Sequence, residues 1–160
     1  MNLLLPSCGM KRASEHWFFA RDGNPDARSL FDRHYSRRHY RNRQPKLFVG
    51  PGQKLVLING DASALFVWRL FRCDIQPPQT GVNCAVFRNE SAVRSSNLIR
   101  QATAVAWQRW PHSRLWTLVD SRRIRSTNPG CCFLKAGWSR VGTAKHGKII
   151  LAISPGAQLA

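Results

Sequence analysis

The sequence has few acidic residues. Its 160 residues include 8 Asp and Glu against 25 Lys and Arg, which gives a formal net charge of +17 at pH 7. After Glu90 the only acidic side chain is Asp120. A charge of this size attracts polyanions and favours salt-sensitive binding, so it predicts nucleic acid as a partner. Two alternatives stay open, a solvated basic surface and an acidic protein partner.

Paired cysteines and long apolar runs are also missing. The five cysteines include no C-x-x-C pair, and their odd number gives no disulfide framework, which argues against a zinc module or a disulfide scaffold. The opening MNLLLPSCGM lacks a leading basic region and is too short to cross a bilayer. We therefore expect a soluble, cytoplasmic protein with reduced thiols and no membrane partner. The cysteines are Cys8, Cys73, Cys84, Cys131 and Cys132.

Apolar residues are plentiful by contrast. Hydrophobic residues make up 43% of the chain, and six Trp and eight Phe are spread along it. This composition predicts a packed globule, a single domain over residues 1–160, rather than a disordered basic tail. We expect its core over about residues 54–153, after an irregular basic arm over about residues 11–46.

Local patterns predict the elements of this core. An Asn-Gly turn signal in NGDAS joins two apolar runs into an antiparallel hairpin, and apolar residues recur at helical spacing after a Ser that is a candidate N-cap. A short helix is expected with Pro129 near its first turn and Gly137 at its end. The expected strands are 54–58, 64–71, 82–88, 115–120 and 148–153, and the expected helices are 95–110 and 128–137.

Strands with a helix between them predict an α/β fold, a mixed β-sheet with flanking helices. The unit from Val82 to Val119 is expected to form a parallel strand pair with a right-handed crossover. Four tryptophans at periodic apolar positions are expected in the core: Trp68, Trp107, Trp110 and Trp116.

Several segments resemble a known family. Residues 54–153 follow the element order of the GNAT (N-acetyltransferase-like) fold, and NPGCCFLKAGW, residues 128–138, resembles that fold's late motif. Within the superfamily, HYSRRHY, KLVLINGDASALFVWR, NCAVFRNE and VDSRRIRSTNPG resemble the phage Mom family of DNA-modifying proteins. The resemblance implies a GNAT-like sheet preceded by a basic N-terminal segment. It also implies an enzyme that transfers an acyl-derived, carbamoylmethyl-like group to the N6 amine of adenine.

The same resemblance implies double-stranded DNA as the partner and protection of phage DNA from host restriction, in the cytoplasm of the bacterial host. A homodimer is one expected form. Acetyl-CoA or a related acyl donor is the implied cofactor. Acetyltransferases of this fold hold the pyrophosphate of coenzyme A on a Gly-rich turn, but here the turn reads RNESAVRSS, without glycine. The residues that could substitute as cofactor-binding groups are Arg88, Arg94, Ser95 and Ser96.

Asp120 is the first candidate catalytic residue. It ends an apolar strand, where α/β sheets place ligands, and a carboxylate there can act as a general base or orient an amine. The nearby arginines are expected to lower its pKa. The alternative is a structural acid that holds this basic loop together. Asn128 could hydrogen-bond a substrate amide or base edge, or could cap the short helix instead. The arginines of this loop, also candidates for binding DNA, are Arg122, Arg123 and Arg125.

The pair His34 and Tyr35 is the second candidate site. His can shuttle protons or bind metal, and His with oxygen ligands would suit iron, so the two are candidate catalytic and metal-binding residues. The alternative is a basic arm whose rings stack on bases while its arginines contact phosphates. A pocket lined by Tyr35 or Tyr40 could receive an extruded adenine. The candidate DNA-binding arginines of this arm are Arg37, Arg38 and Arg41.

Two other functions stay open. One is a conventional acetyl-CoA-dependent N-acetyltransferase of a small molecule or protein, which the glycine-free turn and the positive charge disfavour. The other is a non-enzymatic basic DNA-binding protein, which would need neither Asp120 nor His34.

Overall fold

The chain folds as a mixed α/β structure around a seven-stranded sheet, as seen in a computed structural model that describes residues 9–34, 47–71, 75–123 and 128–156. The sheet order is β1-β2-β3-β4-β5-β7-β6. The strands are β1 (Trp17–Ala20), β2 (Gln53–Asn59), β3 (Ala64–Leu70), β4 (Val82–Asn89), β5 (Leu115–Val119), β6 (Ser139–Thr143) and β7 (Ile149–Ile153). The helices are α1 (Pro25–Asp32), α2 (Ser95–Arg109) and α3 (Cys131–Lys135), with a 3-10 turn at Lys145–Gly147. The predicted mixed α/β class is thus confirmed.

The first part of the chain is not irregular as predicted. Strand β1 pairs antiparallel with β2, and α1 follows it. The start of α1 has clear local causes. The Asn24 side chain accepts hydrogen bonds from the backbone N–H groups of Asp26 and Ala27, both at 3.0 Å, and Pro25 occupies the first turn. The expected irregular segment therefore contains one strand and one helix of the domain.

The predicted hairpin, third strand, long helix and following strand are all present. Two details of the helices were wrong. Helix α2 has Arg94, not a serine, at its N-cap, and no side chain bonds the cap. Helix α3 begins at Cys131 with Gly130 at its N-cap, because Gly130 adopts a left-handed φ of 79°. The helix therefore begins three residues after the expected Asn128, and Pro129 lies just before its N-cap.

Helices cover both faces of the sheet. Neighbouring residues of β2 point to opposite faces, with Leu57 in one apolar cluster and Val56 and Ile58 in another. Helix α1 contributes to the cluster of Val56, whereas α2 and α3 contribute to the cluster of Leu57. The α2 face also carries the buried tryptophans Trp17 and Trp68.

Two indole N–H groups of the sheet donate hydrogen bonds to α2. Trp17 Nε1 donates to the Leu98 carbonyl at 2.9 Å, and Trp68 Nε1 donates to the Ala102 carbonyl at 3.0 Å. Each bond satisfies a buried donor while the ring fills the core. Of the four tryptophans predicted in the core, Trp107 is only partly buried; those that are buried are Trp68, Trp110 and Trp116.

The parallel pair β4–β5 separates soon after it forms. The first pair of the two strands is Val82 with Leu115 and the final pair is Cys84 with Thr117, although both strands continue beyond that point. The pairing of β4 with β3 shifts register at the same place, which leaves Ala85 as a bulge. A bulge bends its strand, so β4 turns away from β5 and a cleft opens between them.

Candidate functional site

The cleft between β4 and β5 is the candidate site. It has a volume of about 460 Å³ and opens at the carboxyl ends of the two parallel strands, where ligands bind in α/β sheets. Helix α3 and the turn before β7 close its far side. The residues that line it include His34, Asn83, Asp120, Cys132, His146 and Lys148, with Arg122 and Arg123 at the rim.

Asp120 directly follows β5 and is only 6% exposed. Its Oδ1 accepts hydrogen bonds from the Arg122 backbone N–H at 3.1 Å and from Arg122 Nε at 3.2 Å, and its Oδ2 lies 3.8 Å from Arg123 Nε. The hydrogen bond from the Arg122 side chain holds the pKa of this carboxyl below its usual value, although burial opposes the shift. Asp120 is therefore an anion at neutral pH, close to a site that could bind a ligand.

His34 reaches the same cleft from the end of α1. Its backbone N–H donates to the Phe31 carbonyl at 2.9 Å, so the helical path continues to this residue. Burial, followed by the positive charge of Arg88, lowers the pKa of His34 from 6.5 to about 4, against a hydrogen bond with the Phe87 backbone that raises it. The ring is therefore neutral at pH 7, and its unprotonated nitrogen can accept a hydrogen bond.

Arg88, one of the predicted cofactor-binding residues, does not line the cleft. Its Nε bonds Glu90 Oε2 at 2.5 Å and its Nη1 donates to the Arg33 carbonyl at 2.6 Å. Glu90 also pairs with Arg33 through two bonds, of 2.7 and 3.0 Å. These contacts, two ion pairs and one hydrogen bond to a carbonyl, form a closed cycle of Arg33, Glu90 and Arg88, which joins the end of α1 to the end of β4 beside His34.

The glycine-free turn between β4 and α2 is ordered by its own side chains. Asn89 donates to the Val93 carbonyl at 2.7 Å and to Ser95 Oγ at 2.9 Å, and it accepts from the Ser91 backbone N–H at 2.9 Å. Of the residues expected to replace the glycine-rich turn, Ser96 is buried, the Ser95 hydroxyl already accepts this bond, and Arg94 caps the helix. Donor binding by Arg88, Arg94, Ser95 and Ser96 therefore stays a prediction.

Sequence reasoning did not find the residues that the last strand brings to the cleft. Val119 pairs antiparallel with Ile149. Asp120 follows Val119 and Lys148 precedes Ile149, so these two residues lie side by side. The charge of Lys148 also lowers the pKa of Asp120. His146 lies in the preceding 3-10 turn at a φ of 64° and lines the cleft as well. Only the β5–β7 register would have indicated these two residues.

Two cysteines that line the cleft, Cys84 and Cys132, carry neutral thiols. Burial raises the pKa of both the Cys84 and the Cys132 thiol, so neither is a thiolate at neutral pH. Cys84 also accepts, through its carbonyl, a hydrogen bond from the Thr117 hydroxyl at 3.0 Å. That bond fastens β4 to β5 at the last pair before the strands separate.

Several predicted site residues do not join this arrangement. Asn128 is exposed and is absent from the cleft lining, and its carbonyl accepts from the Cys131 backbone N–H at 3.1 Å. Among the described ranges, no group of three or more His, Cys, Asp or Glu side chains could hold a metal ion. The predicted roles that fall outside the described residues are those of Tyr35, Arg37, Arg38, Tyr40, Arg41 and Arg125.

Comparisons with known proteins return no relative: no family model, no curated protein and no solved structure matches the chain. In the described part of the chain, no helix is long and apolar enough to cross a membrane. The class that the fold and the cleft define is therefore a mixed α/β protein with a charged cleft at a separated parallel strand pair.

Proposed function

We propose that the chain is a GNAT-like DNA-modifying transferase that adds an acyl-derived group to the N6 amine of adenine. The proposal extends to its setting: double-stranded DNA as the substrate, protection of phage DNA from host restriction, and the cytoplasm of a bacterial host. The element order that carried the resemblance, with a hairpin, a third strand, a helix and a parallel strand, supports the GNAT-like part.

The observation that carries the proposal is the convergence of two ionisable groups in one cleft. Asp120 follows β5 and His34 follows α1, yet both line the space between β4 and β5. A low pKa keeps Asp120 ionised and a pKa of about 4 keeps His34 neutral, so both can accept hydrogen bonds at pH 7. An exocyclic amine has two N–H donors, so it can hydrogen-bond to both groups at once.

The cations around the cleft suit a polyanionic substrate. Arg122, Arg123 and Lys148 line it, and in a chain of charge +17 they favour DNA over a neutral small molecule. An adenine must leave the base stack to enter a cleft of this kind. The phosphate that flanks the extruded nucleotide would then meet the arginines at the rim.

The proposed transfer uses Asp120 and His34. Asp120 accepts a hydrogen bond from the N6 amine and orients it. The amine nitrogen forms a bond to the electrophilic carbon of the donor, an activated acyl compound, and the bond from that carbon to the leaving group breaks. The amine loses one proton, which the neutral His34 accepts, and the leaving group departs with the bonding electron pair.

The test is mass spectrometry of nucleosides from plasmid DNA isolated after expression of the chain in a bacterium. We expect a new deoxyadenosine adduct with the wild type and none with Asp120→Asn, because the amide keeps the shape but loses the charge. Asp26→Asn is the matched control, since Asp26 is an exposed acid in the first turn of α1. The mass of the adduct would identify the transferred group.

A structural role of Asp120 supports the alternative of a non-enzymatic DNA-binding protein. Its bonds to Arg122 and Arg123 are those of an acid that folds a basic loop. If soluble wild-type protein binds DNA but leaves its nucleosides unchanged, this alternative replaces the enzyme.

A further inference from the structure

The charges that line the cleft do not balance. Among the described residues, the lining holds one carboxylate, Asp120, and three cations, Arg122, Arg123 and Lys148. Arg122 is the ion-pair partner of Asp120 at 3.2 Å, and Arg123 lies 3.8 Å from the same carboxylate. A cleft lined with an excess of one charge concentrates ligands of the opposite charge. The cleft therefore suits a ligand that carries a negative group.

Lys148 is the cation of this set that forms no ion pair with Asp120. Its charge reaches the carboxylate only from a distance, as the last of the causes that lower the pKa of Asp120. The side chain is half-buried and lines the cleft. An ammonium group has three N–H donors, so Lys148 can donate several hydrogen bonds to a ligand there.

The turn before β7 brings His146 to the same place. The backbone reverses at His146 and Gly147, which have φ angles of 64° and 74°, and the Ala144 N–H donates to the Lys148 carbonyl at 2.7 Å across the turn. A left-handed φ is costly for a residue other than glycine, and such strain is concentrated at functional sites. In this turn His146 and Lys148 line the cleft, whereas the exposed Lys145 does not.

Lys148 lies close enough to Asp120 for one ligand to contact both. Val119 and Ile149 are register partners in the antiparallel pair β5–β7, so the Cα atoms of the adjoining residues Asp120 and Lys148 are about 5 Å apart. A nucleotide is longer than this spacing. Its base amine can therefore meet Asp120 while its phosphate meets Lys148.

A phosphate suits this pair of side chains better than a carboxylate does. A phosphate group presents strong acceptor oxygens in several directions, whereas the two oxygens of a carboxylate lie in one plane. Lysine contributes a compact positive charge, and a histidine ring N–H adds a hydrogen bond from another side. Hydrogen bonds from a cation to a phosphate are shorter and stronger than those between neutral groups.

We propose that Lys148 and His146 form a phosphate-binding subsite of the cleft, which holds the phosphate of the nucleotide whose base amine meets Asp120. The inference rests on the proposed function and deepens it. It assigns the nucleotide's own phosphate to the turn before β7 and leaves the phosphates farther along the strand to the arginines at the rim. A phosphate group on the acyl donor would have the same chemistry, so the experiment separates these two sources.

The experiment is an NMR titration of the full-length 15N-labelled protein with dAMP and with deoxyadenosine, which differ only in the phosphate, and with no acyl donor present. Lys148→Gln should weaken dAMP binding about tenfold, because a charge-assisted hydrogen bond is lost, and should leave deoxyadenosine binding unchanged. His146→Gly, which keeps the left-handed turn, should weaken dAMP binding by a smaller factor. Lys145→Gln is the matched control, since it removes the same charge from the same turn outside the cleft.

Three results would overturn the inference. Equal losses of dAMP affinity in Lys148→Gln and Lys145→Gln would show that only the overall positive charge attracts the phosphate. Equal losses for dAMP and deoxyadenosine in Lys148→Gln would show that Lys148 acts through Asp120. Unchanged dAMP binding in folded Lys148→Gln would remove the subsite from the nucleotide, and a lower adduct yield of the same variant would assign it to the donor.

Because binding is measured without a donor, these outcomes are separate from the nucleoside assay. Phosphate-dependent binding through Lys148 without modified plasmid DNA would reject the transferase and keep the subsite. Modified DNA with dAMP binding that is independent of Lys148 would keep the transferase and reject the subsite.

Discussion

The charge states of Asp120 and His34 have different physical causes. Hydrogen bonds from Arg122 favour the ionised carboxylate, whereas burial and the charge of Arg88 disfavour the protonated imidazole. Both shifts lower a pKa, but the consequences differ, because the carboxyl becomes a charged acceptor and the histidine a neutral one. The cleft therefore holds two hydrogen-bond acceptors at neutral pH, one charged and one neutral.

The first prediction concerns the titration of His34. We expect its imidazole to titrate near pH 4, well below 6.5, in 15N NMR spectra of the histidine side chains. Because the unfolded chain binds this proton more readily, the free energy of unfolding should fall as the pH drops from about 6.5 to about 4, by up to about 3 kcal/mol. His34→Gln should remove this part of the pH dependence. A midpoint at 6.5 or above would contradict the environment described for the ring.

At the scale of elements, the closed cycle of Arg33, Glu90 and Arg88 joins the end of α1 to the end of β4. Glu90 accepts from both arginines, and these bonds lower its pKa to about 2. The contribution to stability is therefore present above about pH 4.5 and is lost as the pH falls towards 2. All three side chains are partly exposed to solvent, so this contribution is modest.

The second prediction is that Glu90→Gln changes function more than stability. The free energy of unfolding should fall by only about 1 kcal/mol, as for other exposed ion pairs. DNA modification should fall more steeply, because Arg33 immediately precedes His34 and would no longer be held to β4. Comparison of denaturant unfolding with adduct yield measures the two effects separately. Glu15→Gln removes the same charge at an exposed site on the other side of β1 and should change neither quantity, and Glu90→Asp should restore part of the yield.

The third prediction concerns the glycine that starts α3. Gly130 has a φ of 79°, and an added Cβ would lie 2.6 Å from Leu151 Cδ1. Gly147 has a similar φ of 74° but nothing within 4 Å of the same position. Gly147→Ala should therefore lose about 1 kcal/mol from backbone strain alone, and Gly130→Ala should lose clearly more because Leu151 must also move. Equal losses in denaturant unfolding would show that the packing of α3 against β7 is looser than described.

The elements that sequence analysis predicted are those with clear local patterns, either a long regular spacing or, for β5 and β7, a mainly apolar run of five residues. The hairpin of β2 and β3, strand β4 and helix α2 each extend over seven or more residues of regular apolar spacing. Strand β1 has four residues and β6 has an exposed, glycine-containing sequence, so neither shows a clear period. Helix α1 did carry a signal, with Asn24 as N-cap and Pro25 after it, but its eight residues lie in a basic region that was taken as irregular.

The candidate site was only partly predictable for a related reason. Asp120 stands out in the sequence because it follows an apolar strand and is alone among basic residues. His146, Lys148 and Asn83 carry no local signal, since the pairing of β5 with β7 and the bulge at Ala85 bring them to the cleft. Long-range register is not encoded in the spacing of neighbouring residues, so these positions needed the structure.

At the scale of the whole molecule, the excess of positive charge does not show which part of the surface binds DNA. The 25 cationic side chains attract DNA from every direction, so affinity at low salt says little about where DNA binds. The salt dependence of binding is more informative, because each phosphate contact releases condensed counterions. Removing a cation that contacts a phosphate reduces the slope of log K against log salt concentration, whereas removing a distant cation does not.

The fourth prediction uses this difference on two arginines. Arg123 lines the cleft, and Arg140 lies exposed on β6, at the far edge of the sheet. If DNA enters the cleft, Arg123→Gln should reduce the slope of log K against log salt concentration by about 0.9, the value for one phosphate contact, and Arg140→Gln should leave it unchanged. Fluorescence anisotropy with a labelled duplex over a range of salt concentrations measures both slopes, and both variants lose one positive charge. Equal reductions would mean that DNA is held by the overall field, and a reduction for Arg140 alone would move the DNA-binding surface from the cleft to the β6 edge.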